Sequence, residues 1–390
     1  MKKLNLLVAI MVVTAFSSQL KAQTPYKERA EEMFQLVWDL YRVPQYGLFS
    51  EYYPSEHKPN LTYFNDSDKQ AQEVSYLWPM SGIFSSAVLM GSMDPEKYGV
   101  YIDSMVVAME EYYDTSRVPF GYQAYPVRFE KVDRYYDDNG LVGIDYIDSY
   151  MVTKNPHFLE KAKQVMTFIL SGWDDRFEGA VPWVEGTRDQ KPACSNGKAL
   201  VLALKLYEAT GDSYYLDLGK RFYDWMDRYL KDPVRGVVWN SLSTVTGEVV
   251  PDLYTYNTGT LLQAAVALYR FTGDKEYLNN AEFLAEGSYK VFFKYTDEGI
   301  PYISDLPWFN LVLFRGYHDL YDVTKNSKYV DTMIKGLDFA LEHAVDQAGL
   351  VYHDWTGRTD ERNKPKWLLD SSAVPEFLIR AAMIRGEIGK

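Results

Sequence analysis

The sequence predicts an all-α protein folded as an (α/α)6 toroid, a closed ring of six helical hairpins. Apolar residues recur at intervals of three and four in twelve segments, the period of helices that bury one face. A helix–turn–helix pattern also repeats at intervals of 57, 62 and 52 residues, and intervals of this size are typical of stacked hairpins. Twelve helices make six hairpins, which close naturally into a ring.

The repeat is clearest at the turn inside each hairpin. A tyrosine near the end of one helix is followed by Thr-Gly-Asp or Thr-Lys-Asn, and an aromatic residue of the next helix comes shortly after. Glycine ends a helix by taking a positive φ, and the Asp or Asn side chain caps the following helix. The four tyrosines are Tyr150, Tyr207, Tyr269 and Tyr321, and a degenerate earlier copy spans 90–98.

The predicted elements follow this pattern along the whole chain. Helices are expected over 33–43, 83–90, 101–113, 141–150, 158–170, 200–207, 215–230, 261–271, 277–293, 311–321, 329–341 and 374–384, with short strands over 237–239 and 349–352. Long ordered connections usually have a function, and one kind of connection gathers on one rim of a toroid, so we expect the site there. An open solenoid is the alternative. Contact between the segment near Val374 and that near Ile83 or Met33 would exclude it.

The first 22 residues have the features of a secretory signal peptide. Two lysines follow Met1, an apolar run covers 4–16, and Ala22 precedes the expected cleavage point. We therefore expect residues 23–390 to form one exported catalytic domain, periplasmic or secreted and monomeric. The apolar run is too short for a membrane anchor, and no cysteine near it could carry a lipid.

Composition narrows the class of function. The net charge of −13 argues against nucleic acid and anionic membranes as partners. The chain has 33 Tyr, 19 Phe and 9 Trp, and such an aromatic excess is common in proteins that bind sugars. The five histidines show no metal-ligand spacing, and no phosphate or dinucleotide motif is present, so we expect neither metal nor cofactor. Cys194 is the only cysteine and cannot form an internal disulfide.

Asp137 and Asp138 are the strongest candidates for catalysis. Paired carboxylates are the minimum for hydrolysing a glycosidic bond, since one attacks or steers water while the other protonates the leaving oxygen. The doublet also opens a predicted helix, so the alternative is that both carboxylates merely cap it. If Asp137 is the non-helical first residue, its side chain can swing towards that of Asp138. The helix dipole then favours an ionised Asp137, whose charge raises the pKa of Asp138.

Several motifs resemble those of glycoside hydrolase family 76, the endo-α-1,6-mannanases. The run 136–139, Tyr-Asp-Asp-Asn, resembles the catalytic Asp-Asp motif of that family. The run 254–259 resembles its Tyr-Asn-x-Gly helix start, and 193–196 and the helix of Arg315 are also similar to family positions. The resemblance extends from about residue 33 to 384. One departure is the run 140–143, Gly-Leu-Val-Gly, where the family often has bulky residues; it implies a wider groove.

The resemblance implies retaining hydrolysis of α-1,6-linked mannose backbones, with Asp137 as nucleophile and Asp138 as general acid/base. The partner would be an α-mannan polysaccharide or a mannooligosaccharide. Candidate sugar contacts near the pair are Trp78, Tyr136, Asn139, Trp183, Asn196, Asp252, Tyr256, Asn257, Trp308 and Arg315. Each has a structural alternative: Asn196 and Asn257 as helix caps, Trp308 as core, Arg315 as the partner of a structural acid. A second doublet, Asp174–Asp175, is assigned to loop structure.

Two other functions remain open at this point. One is a glycan-binding toroid that keeps the groove without hydrolysis, which the intact doublet disfavours. The other is a different (α/α)6 sugar enzyme, such as a 2-epimerase or an unsaturated uronyl hydrolase. Epimerase chemistry usually needs paired histidines, and only His318 lies on a predicted inner helix.

Overall fold

A computed structural model describes residues 24–64 and 69–389. The predicted signal peptide lies outside the described residues. The twelve α-helices of the described part are α1 (Tyr26–Tyr41), α2 (Leu77–Met93), α3 (Pro95–Glu110), α4 (Tyr136–Thr153), α5 (Pro156–Ser171), α6 (Ala193–Thr210), α7 (Ser213–Tyr229), α8 (Thr255–Thr272), α9 (Lys275–Phe292), α10 (Pro307–Thr324), α11 (Lys328–His343) and α12 (Leu368–Arg385). None of these is long and apolar enough to cross a bilayer.

The hairpin turns have the geometry that their residues predict. Gly211 and Gly273 end α6 and α8 in the left-handed conformation, at φ of 70° and 74°. Lys154 and Lys325 take the same conformation after α4 and α10, each at φ of 58°. The side chain of the following residue then caps the next helix: Asn155, Asp212 and Asp274 each accept a hydrogen bond from the N–H two residues later.

The helices form two concentric layers. The even-numbered helices, α2 to α12, make the inner ring and each packs against the next. They are buried around most of their circumference, whereas outer helices such as α7 bury one face only. Glycines at the contacts between inner helices allow close packing. A Cβ on Gly259 of α8, for example, would lie 2.6 Å from the carbonyl oxygen of Val312 on α10.

The ring is closed. Helix α12 packs against both α2 and α1. Ser86 Oγ donates a hydrogen bond to the carbonyl oxygen of Ser372 at 2.5 Å, and Tyr41 donates to that of Lys366 at 2.9 Å. The predicted (α/α)6 toroid is therefore confirmed, and the open solenoid is excluded.

Short antiparallel strands join the helices at one rim. They are β1 (Arg42–Val43), β2 (Leu48–Phe49), β3 (Tyr52–Tyr53), β4 (Tyr113–Asp114), β5 (Gly121–Tyr122), β6 (Gln190–Pro192), β7 (Trp239–Ser243), β8 (Val249–Leu253), β9 (Phe293–Tyr295), β10 (Pro301–Ile303) and β11 (Lys366–Trp367). The pairs are β1–β2, β3–β11, β4–β5, β9–β10 and the three-stranded β6–β7–β8. The strand expected over 237–239 begins at Trp239 instead, and that expected over 349–352 is only a bridge between Val345 and Val351.

The inner helices begin earlier than the apolar pattern indicated. In helix α4, for example, the apolar period begins at 141, whereas the helix begins at Tyr136. The reason is that the first turns of the inner helices carry polar and aromatic side chains that line a cavity. Those side chains interrupt the three- and four-residue apolar period on which the prediction relied.

Candidate active site

The first turns of the inner helices surround one cavity of about 610 Å³ at the rim. Helix α4 contributes Asp137 and Asp138 to its lining, and α6 contributes Cys194 and Lys198. Aromatic side chains also line it: Trp78 of α2, Tyr256 of α8, Trp308 and Phe309 of α10, Trp367 of β11, and Tyr63 and Trp183 of the connections. A mostly aromatic wall with a few polar groups at its base suits a carbohydrate, which has both apolar faces and hydroxyls.

The repeat places equivalent residues in this cavity. Helices α4, α6, α8 and α10 begin at intervals of 57, 62 and 52 residues, the same intervals that separate the four repeat tyrosines. The second residues of these helices are Asp137, Cys194, Tyr256 and Trp308, and all four line the cavity. The catalytic candidate Asp137 thus occupies a helix position whose side chain lines the cavity in all four of these helices.

The acidic doublet lies in the first turn of α4, although not as the sequence analysis expected. Tyr135 is the N-cap residue, and Asp137 and Asp138 are both helical. Their side chains line the same cavity without Asp137 having a non-helical backbone. The start of α4 is fixed by a connection, since the Tyr136 N–H donates to the carbonyl oxygen of Trp183 at 2.9 Å.

Asp137 has the contacts that favour a carboxylate. Trp183 Nε1 donates a hydrogen bond to Asp137 Oδ2 at 3.2 Å. Burial raises the pKa of Asp137, while the Cys194 thiol, the Trp183 N–H and the backbone N–H groups of Asp137 and Asp138 oppose that rise. The free N–H groups at a helix start therefore help to hold negative charge on this residue.

Asp138 has the opposite balance. Burial and the charge of Asp137 together raise its pKa well above the ordinary value for an aspartate, and no hydrogen bond from a described residue opposes them. Two neighbouring carboxyl groups with different surroundings acquire different pKa values, and Asp138 has the more strongly raised one. This is the arrangement that an acid and a nucleophile need.

Aromatic rings form one wall of the cavity. Trp78 packs edge-on against Trp308 and Trp367, with ring centroids 5.8 and 5.4 Å apart, and is stacked on Phe309 at 5.7 Å. Tyr63 stacks on Trp367 at 5.1 Å. Mutual packing fixes the orientation of these rings before any ligand binds.

Four of the ten predicted sugar contacts line the cavity, and the other six do not. Trp78, Trp183, Tyr256 and Trp308 are cavity-lining, as predicted. Tyr136 points away from it and stacks on Phe168 with ring centroids 5.2 Å apart, beneath Gly172. Its role is to pack α4 against α5, and the expectation of sugar stacking by Tyr136 is corrected.

Asn139 and Asn196 are fully buried and have no free hydrogen-bonding capacity for a sugar. Asn139 Nδ2 donates to the carbonyl oxygens of Tyr135 and Tyr122 at 2.7 and 2.8 Å, and its Oδ1 accepts from the Tyr122 N–H at 2.8 Å. Asn196 makes the same three bonds to Pro192 and Val181, at 2.8 to 2.9 Å. Each is the fourth residue of its helix and fastens a connection to the helix start, so neither is a sugar contact here.

The remaining predicted contacts also lie outside the cavity. Asp252 is exposed on β8. Asn257 is fully buried in α8, and neither amide atom has a hydrogen-bond partner among the described residues. Arg315 is paired below the cavity with Glu376, at 2.6 and 2.7 Å, and donates to Ser85 Oγ at 2.7 Å. The structural alternative for Arg315 therefore holds, and its predicted hydroxyl contact is corrected.

The second acidic doublet is part of a loop. Asp174 pairs with Arg176, whose hydrogen bond lowers the pKa of Asp174 to about 2. Trp173 Nε1 donates to Asp175 Oδ1 at 2.9 Å. Both carboxylates lie outside the cavity lining, and the assignment of this doublet to loop structure fits these contacts.

Sequence analysis missed Lys198, Cys194, Trp367 and Tyr63 as cavity residues. The repeat contained a usable signal for Cys194, because it is the equivalent of Asp137 one interval later. Lys198 follows one helical turn after Cys194 and therefore shares its face. Tyr63 and Trp367 are brought together from distant parts of the chain, and no local pattern indicates that contact.

An α/α toroid with an unequal carboxylate pair at the base of an aromatic cavity belongs, by fold and site, to the glycoside hydrolase class. Within that class the chain belongs to glycosyl hydrolase family 76, whose family model matches residues 25–305.

Individual relatives agree with this assignment. The chain is 30% identical over 163 residues to a mannan endo-1,6-alpha-mannosidase of Saccharomyces cerevisiae, an alignment that covers 38% of this chain and 34% of the relative. The chain thus matches only about a third of the length of the curated relatives. A family 76 glycoside hydrolase (mannosidase) from Bacteroides thetaiotaomicron is 26% identical, with a TM-score of 0.81 over 93% of this chain and 99% of that one.

A more distant structure shares the fold. It is an inactive variant of the α-1,6-mannanase of Salegentibacter sp. HEL1_6, bound to α-1,6-mannotriose. That protein is 20% identical, with a TM-score of 0.72 over 92% of this chain and 99% of its own.

Proposed function

We propose that this protein is a retaining glycoside hydrolase that cleaves α-1,6-mannosidic bonds in the backbone of α-mannan. The observation that carries the proposal is the pair Asp137 and Asp138 at the base of the aromatic cavity, with surroundings that separate their pKa values. Asp137 is the proposed nucleophile and Asp138 the proposed general acid/base. Trp78, Trp183, Tyr256 and Trp308 are the proposed sugar contacts.

The names of the relatives support the choice of mannan. The Saccharomyces relative is named as an endo-1,6-alpha-mannosidase, and the Bacteroides structure as a mannosidase. The inactive Salegentibacter variant, which holds α-1,6-mannotriose, carries substitutions at two consecutive aspartates. A consecutive pair is also what this chain presents at the base of its cavity.

The chemistry divides between the two carboxyl groups in two steps. In the first, Asp137 attacks the anomeric carbon while Asp138 gives its proton to the glycosidic oxygen, so that a mannosyl–Asp137 ester forms and the remaining chain leaves. In the second, Asp138, now ionised, takes a proton from water, which displaces Asp137 and releases the sugar with its original configuration. The raised pKa of Asp138 suits this exchange of roles.

The site gives less support to an epimerase-like function. Of the described residues that line the main cavity, none is a histidine. His318 is buried below it, and its Nδ1 lies 3.4 Å from Arg380 Nη1. A pair of histidines that moves a proton to and from a sugar carbon therefore has no place in this cavity.

Digestion of linear α-1,6-mannan, with the products sized by chromatography, tests the proposed function. We expect shorter mannooligosaccharides to appear, and a set of intermediate sizes would indicate cleavage within the chain. Binding of the mannan without release of reducing ends would instead indicate a glycan-binding toroid. A linear α-1,2-mannooligosaccharide is the matched control, and equal cleavage of both would contradict the proposed linkage preference.

A further inference from the structure

Of the described residues that line the main cavity, Lys198 is the one lysine, and the catalytic scheme above does not use it. It lies in α6, one turn after Cys194, and is only 3% exposed. Its Nζ atom is buried and has no hydrogen-bond partner among the described residues. The aliphatic stem packs tightly on α4, since a Cβ on Gly140 would lie 2.5 Å from Lys198 Cβ. That contact brings the lysine next to the acidic doublet.

The ammonium group lies near two aromatic rings. Lys198 Nζ is 5.2 Å from the ring centroid of Tyr256 and 5.4 Å from that of Trp308. Such contacts stabilise a cation without providing a hydrogen-bond acceptor. The indole N–H of Trp308 is also buried without a partner among the described residues. Lys198 and Trp308 both line the cavity, and each has one buried donor atom without a partner among the described residues.

Other lysines of this chain that are buried or partly buried have acceptors. Lys205, on the same helix, donates to Asp148 Oδ1 at 2.7 Å. Lys191 donates to the carbonyl oxygens of Asp174, Arg176 and Gly179. A buried ammonium without an acceptor is costly, and a lysine with a purely structural role would have one. We therefore expect a ligand in the cavity to supply the hydrogen-bond acceptors that Lys198 lacks.

We propose that Lys198 is a substrate-binding residue that donates hydrogen bonds to hydroxyl groups of the sugar unit positioned on Asp137. This inference rests on the proposed function. It names the group that orients the reacting sugar, with Trp308 Nε1 as a second donor beside it. The hydroxyl oxygens complete the coordination of the ammonium, and the rings of Tyr256 and Trp308 hold it in place.

The charges around Lys198 make its binding role depend on pH. Burial and, to a lesser extent, the charge of Arg315 on α10 lower the pKa of Lys198 to about 7, against the opposing effects of Cys194 and Asp137. Asp138 of α4 and the Tyr256 hydroxyl of α8 are the other titratable groups of the cavity wall around it. The protonated ammonium is the better donor to a hydroxyl oxygen. Sugar binding should weaken as pH rises through about 7 and should be restored on acidification.

The test measures binding of α-1,6-mannotriose by calorimetry from pH 5.5 to 8.5, in an Asp138→Asn background that removes turnover. Exchanging Lys198→Met in that background should weaken binding about 10- to 100-fold at pH 6, the range expected when a hydrogen bond from a charged group is lost. The change in mannotriose affinity near pH 7 should also disappear in the Lys198→Met variant. Folding is checked by thermal melting, and Lys198→Gln replaces Lys198→Met if the latter does not fold.

Two control variants in the same background separate binding from structure. Trp308→Phe removes the neutral donor and keeps an aromatic ring, so binding should weaken while its pH dependence persists. Lys205→Met removes a partly buried, ion-paired lysine of the same helix outside the cavity, so the melting temperature should fall while affinity and pH dependence stay unchanged.

Each outcome has a distinct meaning. Unchanged affinity in the Lys198 variants, or weaker affinity with the same pH dependence, overturns the role of Lys198 alone. No binding of mannotriose by the Asp138→Asn parent at any pH contradicts the proposed function, and the role of Lys198 falls with it.

Discussion

At the scale of single residues, the catalytic candidates differ by their surroundings rather than by their chemistry. Asp137 and Asp138 are consecutive aspartates in one helical turn. Hydrogen bonds from Trp183 and from the helix start favour charge on Asp137, whereas burial and the neighbouring charge disfavour it on Asp138. The same side chain can therefore act as nucleophile at one position and as acid at the next.

Replacement of either aspartate should abolish mannan cleavage, with different residual reactions. Asp137→Asn should form no glycosyl-enzyme on any substrate. Asp138→Asn should still react with an aryl mannoside whose leaving group needs no protonation, and azide should restore turnover because it needs no general base. Mass spectrometry detects the glycosyl-enzyme, and the configuration of the azide product identifies the nucleophile. The azide product should be α-configured; a β-configured product would assign Asp137 the wrong role.

The second doublet provides the matched control for those variants. Asp174→Asn and Asp175→Asn together should leave most of the activity, because both side chains lie outside the cavity lining. A loss as large as that of Asp137→Asn would mean that the catalytic pair has been misidentified.

The raised pKa of Asp138 also predicts a pH-dependent gain in stability. An acid whose pKa is raised by folding destabilises the folded state once the pH exceeds its unfolded pKa, near 3.9. Asp138→Asn should therefore raise the free energy of unfolding at pH 7 by about 1.4 kcal/mol for each unit of the pKa rise that it removes. The melting temperature at pH 7 should rise with it. At pH 3 the variant and the parent should melt alike. A lower melting temperature at pH 7 would instead indicate a helix-capping role for Asp138.

At the scale of elements, the fourth residue of an inner helix fastens the preceding connection to the helix start. Asn139 and Asn196 do this with three hydrogen bonds each, and Thr258 does it with one, accepting the N–H of Val238 at 3.0 Å. The amide geometry suits an extended connection, because one side chain satisfies a backbone N–H and a carbonyl together. These residues hold the first turns, which in turn hold the cavity side chains.

Asn139→Ala should therefore destabilise the protein by about 2 to 4 kcal/mol, since three buried hydrogen bonds are lost and their backbone partners remain unsatisfied. Chemical denaturation measures this. Asn257→Ala is the matched control, because Asn257 is equally buried but its amide has no partner among the described residues. Its replacement should cost much less, and equal losses for the two variants would contradict the fastening role.

At the scale of the whole molecule, function depends on closure of the ring. The cavity takes residues from α2 and α4 near the beginning of the chain and from α10 and β11 near its end. Helix α12 closes the ring by packing on α1 and α2. The match to the family model, over 25–305, ends before α10, α11 and α12, yet the cavity is incomplete without Trp308, Phe309 and Trp367.

A chain that ends at residue 305 should consequently fail to fold cooperatively. Two inner helices would be missing, and the apolar faces of α2 and α8 that they cover would be exposed. Circular dichroism during heating should show no sharp transition, and mannan cleavage should be absent. A chain that lacks only residues 389–390 is the control and should behave as the full chain does. Cooperative melting of the shortened chain would show that the ring is not one folding unit.

The sequence by itself determined the number of helices, the hairpin turns and the acidic doublet. Helical period, left-handed caps and adjacent carboxylates are local properties, so a single stretch of chain is enough to reveal them. The repeat intervals even define which positions are equivalent to Asp137. The apolar period alone begins after the first turns of the inner helices, because cavity-facing side chains interrupt it.

Only the tertiary structure decided which side chains reach the cavity. Tyr136, Asn139 and Asn196 stand next to catalytic candidates or in family-like motifs, yet packing between helices buries them against the backbone or other rings. Trp367 gave no local signal, and ring closure places it in the aromatic wall, whereas packing of α6 on α4 places Lys198 beside the doublet. Side-chain direction at one helix depends on its neighbours in the ring, and those neighbours come from positions tens to hundreds of residues away along the chain.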